Sequence, residues 1–223
     1  MLEPEVFLRI GAFLNWIGFF LVPILLLPLL TLTFPRLFSE PARRLRNYLD
    51  RSIRWALNAA IFFAIALVMA QLAVVIASYA FALSWTWLSE AVIYAFAAVF
   101  MLGSASALTN DAHVRVDILR PKFGERGRDW IELGGTYLFL FPIMIRLITL
   151  GEQGLSRSWL LFEGSRESDG LPILFLFKTL VPVFAVLMIA AGLTVALRAA
   201  LKLTGGLPAD AQDDPETESH YGA

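Results

Sequence analysis

Three stretches of this chain contain no Asp, Glu, Lys, Arg or His at all: Ile10 to Pro35, Trp55 to Ser89 and Ala91 to Asn110. A bilayer hydrocarbon core about 30 Å thick needs roughly 20 apolar helical residues to cross it, and each stretch meets that length. Two more are less clean. Trp130 to Leu150 holds Glu132 and Arg146, and Leu171 to Leu197 holds only Lys178. A backbone in lipid must satisfy its own N–H and C=O groups, which leaves helices or closed barrels, and the runs lack the strict alternation of barrel strands. The expectation is an all-α integral membrane protein with five transmembrane helices, at about 9–34, 55–82, 89–109, 130–151 and 172–198. Composition agrees: 58% of residues are apolar, only 17% are charged, and the apolar residues are blocked rather than periodic.

Arginines give the expected orientation. Arg36, Arg43, Arg44, Arg46, Arg51 and Arg54 crowd the first linker, and Arg115, Arg120, Lys122, Arg126 and Arg128 the third. Arg198 and Lys202 follow the last span. With five spans all three segments fall on one side, which the positive-inside rule makes cytoplasmic. The N-terminus is then outside and the C-terminus inside. The first apolar run is too long for a signal peptide, and Glu3 and Glu5 precede it, so it is expected to be a retained helix.

Within the linkers, Leu45, Tyr48, Leu49 and Ile53 follow helical spacing. They read as the apolar face of an interfacial helix, or more simply as part of a positive-inside anchor. Pro23 and Pro28 predict a bend in the first span. Small residues at Gly103 to Ala107, at Gly134 and Gly135, and at Gly192 and Ala196 offer close helix approaches. The tail from Gly205 carries Asp210, Asp213, Asp214, Glu216 and Glu218 and no basic side chain, and is expected to be disordered. The domain reading is an extra helix and basic linker over 1–52, a four-helix core over 53–204 and the acidic tail over 205–223.

Few residues invite chemistry. There is no cysteine, which excludes disulfides, thiolate metal sites and iron–sulfur clusters. His113 and His220 are the only histidines, and neither lies inside a span where an axial haem ligand belongs. His113 with Asp111 and Asp117 makes a poor metal site, so a structural loop histidine is the better reading. No phosphate-binding glycine loop and no nucleophile motif appears. No catalytic activity, cofactor or nucleic-acid partner is expected. Three charges at membrane depth need an account: Glu90, Arg146 and Lys178. Span positions put all three at a similar outer depth, and intramembrane charges usually pair. The expectation is that Glu90 pairs with Arg146 or Lys178, the alternative being that the two cations snorkel separately.

Trp87-Leu88-Ser89-Glu90 opens one span, and His113-Val114-Arg115-Val116-Asp117 follows it. Glu167-Ser168-Asp169-Gly170-Leu171-Pro172 then precedes Lys178 and Pro182 in the last span. In order and placement these segments, over about residues 53–200, resemble the small permease subunit of TRAP transporters, the DctQ-like family. The resemblance implies a scaffold within a tripartite, ATP-independent uptake system of the bacterial inner membrane. Its partners would be a large permease subunit, driven by a sodium or proton gradient, and a periplasmic solute-binding protein, with an organic acid a frequent solute. Candidate structural or interface residues are Glu90, His113, Arg115, Asp117, Arg146, Glu167 and Lys178. The family core has four helices, so the span at about 9–34 is an addition to it. The competing reading is a non-transporting membrane anchor subunit of another assembly, such as a respiratory complex.

Overall fold

The computed structural model describes residues 22–110 and 120–205. The first half of the earliest predicted span, the candidates His113, Arg115 and Asp117, and the acidic tail lie outside the described residues. Those described form helices joined by turns and loops, with no strand among them. Four helices are long and apolar enough to cross a membrane: Pro35–Phe81, Thr86–Thr109, Arg126–Leu160 and Leu174–Leu203. A shorter apolar helix, Val22–Thr33, precedes them. In chain order the elements are α1 (Val22–Thr33), α2 (Pro35–Phe81), α3 (Thr86–Thr109), α4 (Arg120–Gly135), a π-helical turn (Thr136–Leu140), α5 (Phe141–Leu160) and α6 (Leu174–Leu203).

The break between α1 and α2 is set by proline. Phe34 precedes Pro35 and stands outside the helical region at φ −131°, ψ 67°, because proline's ring disfavours the α conformation in the residue before it. Within α1, Pro28 carries no N–H and loosens the carbonyls of the preceding turn. The Tyr137 hydroxyl donates to one of them, the Leu25 carbonyl, and ties α1 to the π-helical turn. Buried Thr31 donates to the Pro28 carbonyl at 2.6 Å.

The basic linker is helical and continuous with the span after it: α2 runs for 47 residues without interruption. Arginines end burial in lipid, but they are good helix formers and do not end a helix. The domain boundary expected at residue 52 therefore falls inside α2. Three of the four residues on the expected apolar stripe pack inward. Leu45 and Leu49 join a cluster with Ala42, Phe141, Leu193, Leu197 and Leu201, and Ile53, at 3% exposure, packs on Ala105 and Ala191. Tyr48 points outward.

Alanines bring α2, α3 and α6 together. Ala60 and Ala98 pack against each other with Leu102, backed by Leu180 and Leu187 of α6. Without long side chains between them the backbones approach closely, which is how helices associate where solvent supplies no hydrophobic drive. Gly192 of α6 makes the tightest approach. A Cβ there would collide with Leu140 Cδ2 and sit 3.2 Å from both Phe141 Cε1 and Thr136 Cγ2. The π-helical turn delivers Thr136 and Leu140, and the first residue of α5 is Phe141; the Thr136 hydroxyl donates at 2.8 Å to the Glu132 carbonyl. Gly134 and Gly135 have open space where a Cβ would be, so they do not make the close contact their sequence suggested.

At its far end α3 is capped by α6. The Arg198 guanidinium donates to the Thr109 carbonyl at 3.2 Å, a cation at a helix C-terminus as the macrodipole favours. Asn110 donates from its side-chain amide to the Ser106 hydroxyl at 3.1 Å.

Candidate functional site

At the other end of the bundle, α2 turns into α3 through residues 82–85, and residues 161–173 join α5 to α6. Glu90, in the second turn of α3, reaches that second loop and uses both carboxylate oxygens on it. Oε1 accepts from the Ser165 hydroxyl, and Oε2 accepts from the Leu171 N–H at 2.7 Å. The side chain is half-buried, and hydrogen bonds to a carboxylate are of the stronger, charge-assisted kind.

The loop is folded to fit this grip. The Ser165 N–H donates to the Leu171 carbonyl at 3.0 Å, and the Gly170 N–H donates to the Glu167 carbonyl at 3.2 Å. Ser165 Oγ also accepts from the Glu167 N–H at 3.1 Å. Residue 170 must be glycine for want of space: a Cβ would collide with the Ser165 side chain and lie 2.9 Å from Glu90 Oε1. Gly164 is close to Pro172, whose Cα would sit 3.3 Å from an added Cβ. The turn out of α5 uses Phe162 at φ 45°, a conformation with a steric cost for any side chain. Arg166, Glu167, Ser168 and Asp169 face outward on top of the clasp.

A second node lies beside the first. Lys178, in the first turns of α6, pairs with Glu163, and the Ser158 hydroxyl donates to the same Oε2 at 2.7 Å. The Lys178 ammonium is the main reason the Glu163 carboxyl is held below its ordinary value of 4.5; the Ser158 hydroxyl adds to it, and partial burial opposes both. The Glu163 carbonyl accepts from the Phe175 N–H at 3.1 Å, closing the entry to α6. Aromatic contacts brace the node. Trp159 donates from Nε1 to the Thr179 hydroxyl at 2.9 Å and meets Phe175 edge-on, with ring centroids 4.9 Å apart. Tyr94 of α3 stacks on Phe177 at 4.3 Å.

This corrects the expected charge network. Lys178 pairs with Glu163, not with Glu90, whose two oxygens are both committed to the loop. No ion pair involving Arg146 occurs among the described residues. Its place relative to the helix end also differs from the expectation. The helix continues through Glu152 and Gln153 to Leu160, which leaves Arg146 exposed and ~21 Å short of that end at 1.5 Å per residue. Glu163 was missed because it lies outside every apolar run. The signal for it was local: a serine at 158 and a carboxylate five residues on, across a helix end.

Chemically, the arrangement fixes a loop. The carboxylates of Glu90 and Glu163 are both occupied by hydrogen bonds or an ion pair within the chain. Among the described residues no group of three or more His, Asp or Glu is placed to hold a metal ion. Two segments far apart in sequence, the start of α3 and the turn at 163–172, are thereby joined into one rigid surface.

A family model for the DctQ component of tripartite ATP-independent periplasmic transporters matches residues 67–202. The matched segment begins inside α2 and takes in Glu90, Glu163, Ser165, Gly170, Leu171 and Lys178. No curated protein and no solved structure matches the chain.

Proposed function

The chain belongs to the DctQ family, the small membrane component of tripartite ATP-independent periplasmic transporters, and from that premise we propose that it is the scaffold on which a large permease subunit and a solute-binding protein work together. In this reading it stands in the bacterial inner membrane, with the α2/α3 turn and the loop 161–173 on the periplasmic side and the C-terminus in the cytoplasm. Uptake is driven by a sodium or proton gradient, and the solute is a small organic acid. Solute and cation are handled by the partner chains.

The observation that carries this reading is the commitment of Glu90. A carrier keeps its membrane charges available for cargo, with discontinuous helices pointing at the site. Here the carboxylate of α3 spends both oxygens on its own chain, and what it fixes is an outward-facing turn. The exposed side chains of Arg166, Glu167, Ser168 and Asp169 are the natural contact for a periplasmic binding protein. At the opposite end, Arg115 and Asp117 follow the α3 terminus that Arg198 caps, and with His113 they are assigned to the corner of the scaffold that meets the large permease.

Co-purification tests the reading. Tagged and extracted in mild detergent, the chain is expected to bring with it a many-span permease, identifiable by mass spectrometry. R115A and D117A are expected to lower that recovery and leave the solute affinity of the binding protein unchanged. Recovery of a haem- or quinone-bearing assembly in place of the permease would replace this reading with that of an anchor subunit.

A further inference from the structure

The arginine-rich half of α2 has two faces. Ala42, Leu45, Leu49 and Ile53 pack inward. Arg44, Tyr48, Arg51, Arg54 and Trp55 are all exposed. At 3.6 residues per turn these five fall within about a third of the helix circumference, opposite the packed residues. The acidic side chains of α2 are already engaged: Glu40 lies 3.6 Å from Arg43, and Asp50 lies 3.5 Å from Arg46. Arg44, Arg51 and Arg54 make no ion pair and no side-chain hydrogen bond among the described residues. The outer face therefore presents three positive charges with no carboxylate to answer them.

The packing of Ile53 sets the level of this face. Ile53 meets Ala105, four residues and ~6 Å before α3 ends at Thr109. Ala60, seven residues further along α2, meets Ala98, seven residues back in α3, so the two helices run antiparallel in that register. Counted at 1.5 Å per residue, Tyr48 is level with Thr109 to within ~2 Å, Arg51 lies ~3 Å and Arg54 ~7.5 Å inside that level, and Arg44 ~7.5 Å beyond it. α3 carries no charged residue from Ala91 to Asn110, so its end marks the edge of the hydrocarbon. The headgroup layer outside that edge is about 5–7 Å thick. Long arginine stems lie along apolar surface and carry their charge to that layer, from below for Arg51 and Arg54 and from above for Arg44. Tyr48 and Trp55 stand at the same level, where amphipathic rings collect.

A guanidinium matches a phosphate with two parallel hydrogen bonds. A zwitterionic headgroup would bring its own cation to a face that has no carboxylate for it, whereas a headgroup of net negative charge complements all three arginines. We propose that this face binds one anionic phospholipid of the leaflet at the Thr109 end, its phosphate held by Arg51 and Arg54, with Arg44 above and the Tyr48 and Trp55 rings beside it. The site precedes residues 67–202, which match the family model, so it goes beyond the scaffold reading and does not depend on it.

The test uses the full-length chain in nanodiscs of phosphatidylcholine carrying a graded share of phosphatidylglycerol, with lipids that stay bound after release counted by native mass spectrometry. The unaltered chain is expected to retain one phosphatidylglycerol in preference to phosphatidylcholine. An arginine near an anionic surface is worth about a fivefold change in affinity, so R51Q/R54Q should lower that preference roughly thirtyfold and R44Q about fivefold. R51K/R54K keeps the charge and loses the forked donors, and is expected to fall between the unaltered chain and R51Q/R54Q. R36Q makes the same charge change at an exposed arginine that lies ~12 Å beyond Arg44 along α2, and is expected to leave the preference unchanged. If R51Q/R54Q fails to insert, R44Q reads the site by itself. Equal retention of the two lipids, an effect of R36Q as large as that of R51Q/R54Q, or displacement of the lipid by inorganic phosphate overturns the proposal. So does loss of the bound phosphatidylglycerol when the large permease is added, which would assign this face to the partner. None of these results bears on whether the chain recovers the permease, so the scaffold reading is tested separately.

Discussion

Replacing Glu90 with alanine removes both acceptors that hold the loop at 163–172. One bond comes from the Ser165 hydroxyl and one from the Leu171 N–H, at 2.7 Å. A hydrogen bond to a charged group contributes about 1.5–3 kcal/mol net. The carboxylate is only half-buried, so the lower end of that range applies to each bond, and the pair comes to about 3 kcal/mol. At 1.4 kcal/mol per factor of ten, the open population of the loop should rise ~100-fold in E90A. Native-state amide exchange of the purified chain in nanodiscs reads this directly, because local opening sets the exchange rate. Peptides covering residues 163–172 should lose protection, the Leu171 amide most of all, and peptides from the α2/α3 contact should not. E90Q keeps the shape and an acceptor oxygen but loses the charge, so its effect should be roughly half as large in free energy. E167A is the control, since that side chain points outward and only its backbone N–H and C=O take part. Unchanged exchange in E90A, or an equal change in E167A, would refute the claim that Glu90 holds this loop.

Three further outcomes are expected. G170A should loosen the same loop as E90A does, because its Cβ would displace Ser165 from Glu90; exchange at 163–172 checks it, and full protection would contradict the clasp geometry. Acid should release the second node. The folded-state carboxyl of Glu163 is depressed below its ordinary 4.5, so the stability it contributes is present above that value and is lost as pH falls through the lower folded value. Trp159, which hydrogen-bonds Thr179 beside this node, should report the release as a fluorescence change below about pH 4.5 that is absent in E163Q. Finally, G192A should lower thermal stability in detergent by about 1–3 kcal/mol, the usual cost of overpacking, because its Cβ meets Leu140, Phe141 and Thr136. G134A, with open space at its Cβ, should be neutral or gain up to about 1 kcal/mol from helix propensity.

Much of the fold was legible because lipid and helix impose simple patterns. Charge-free runs located the apolar parts of α2 and α3, and a run broken only by Lys178 located α6; helical spacing picked out Leu45, Leu49 and Ile53, which pack inward, and Tyr48, which does not. What failed was the inference that a helix stops where its apolar run stops. The arginines before Trp55 lie within α2, and Glu152 and Gln153 within α5, since these residues leave lipid without leaving the helix. That error moved Arg146 towards a helix end and made it a plausible partner for Glu90. The true partners of Glu90 and Lys178 lie in a loop whose path depends on packing, on Phe162 at positive φ and on the space that Gly170 leaves. The π-helical turn was equally hidden: its counterpart is Gly192, one of several glycines in the spans, and only the packing of Leu140 distinguishes it from Gly134. The resemblance carried by Trp87–Glu90 and Glu167–Pro172 did mark the two segments that meet, although pattern alone did not say that Glu90 would reach Ser165 and Leu171.

The central claim is that this chain supports transport by others and carries nothing itself. Reconstitution into liposomes of the large permease, the binding protein loaded with its solute, and this chain tests it most directly, with uptake of labelled solute measured under an imposed sodium or proton gradient. Uptake is expected only when all three components are present, and is expected to fall to background when this chain is omitted. Uptake by this chain alone, or undiminished uptake without it, would contradict the account.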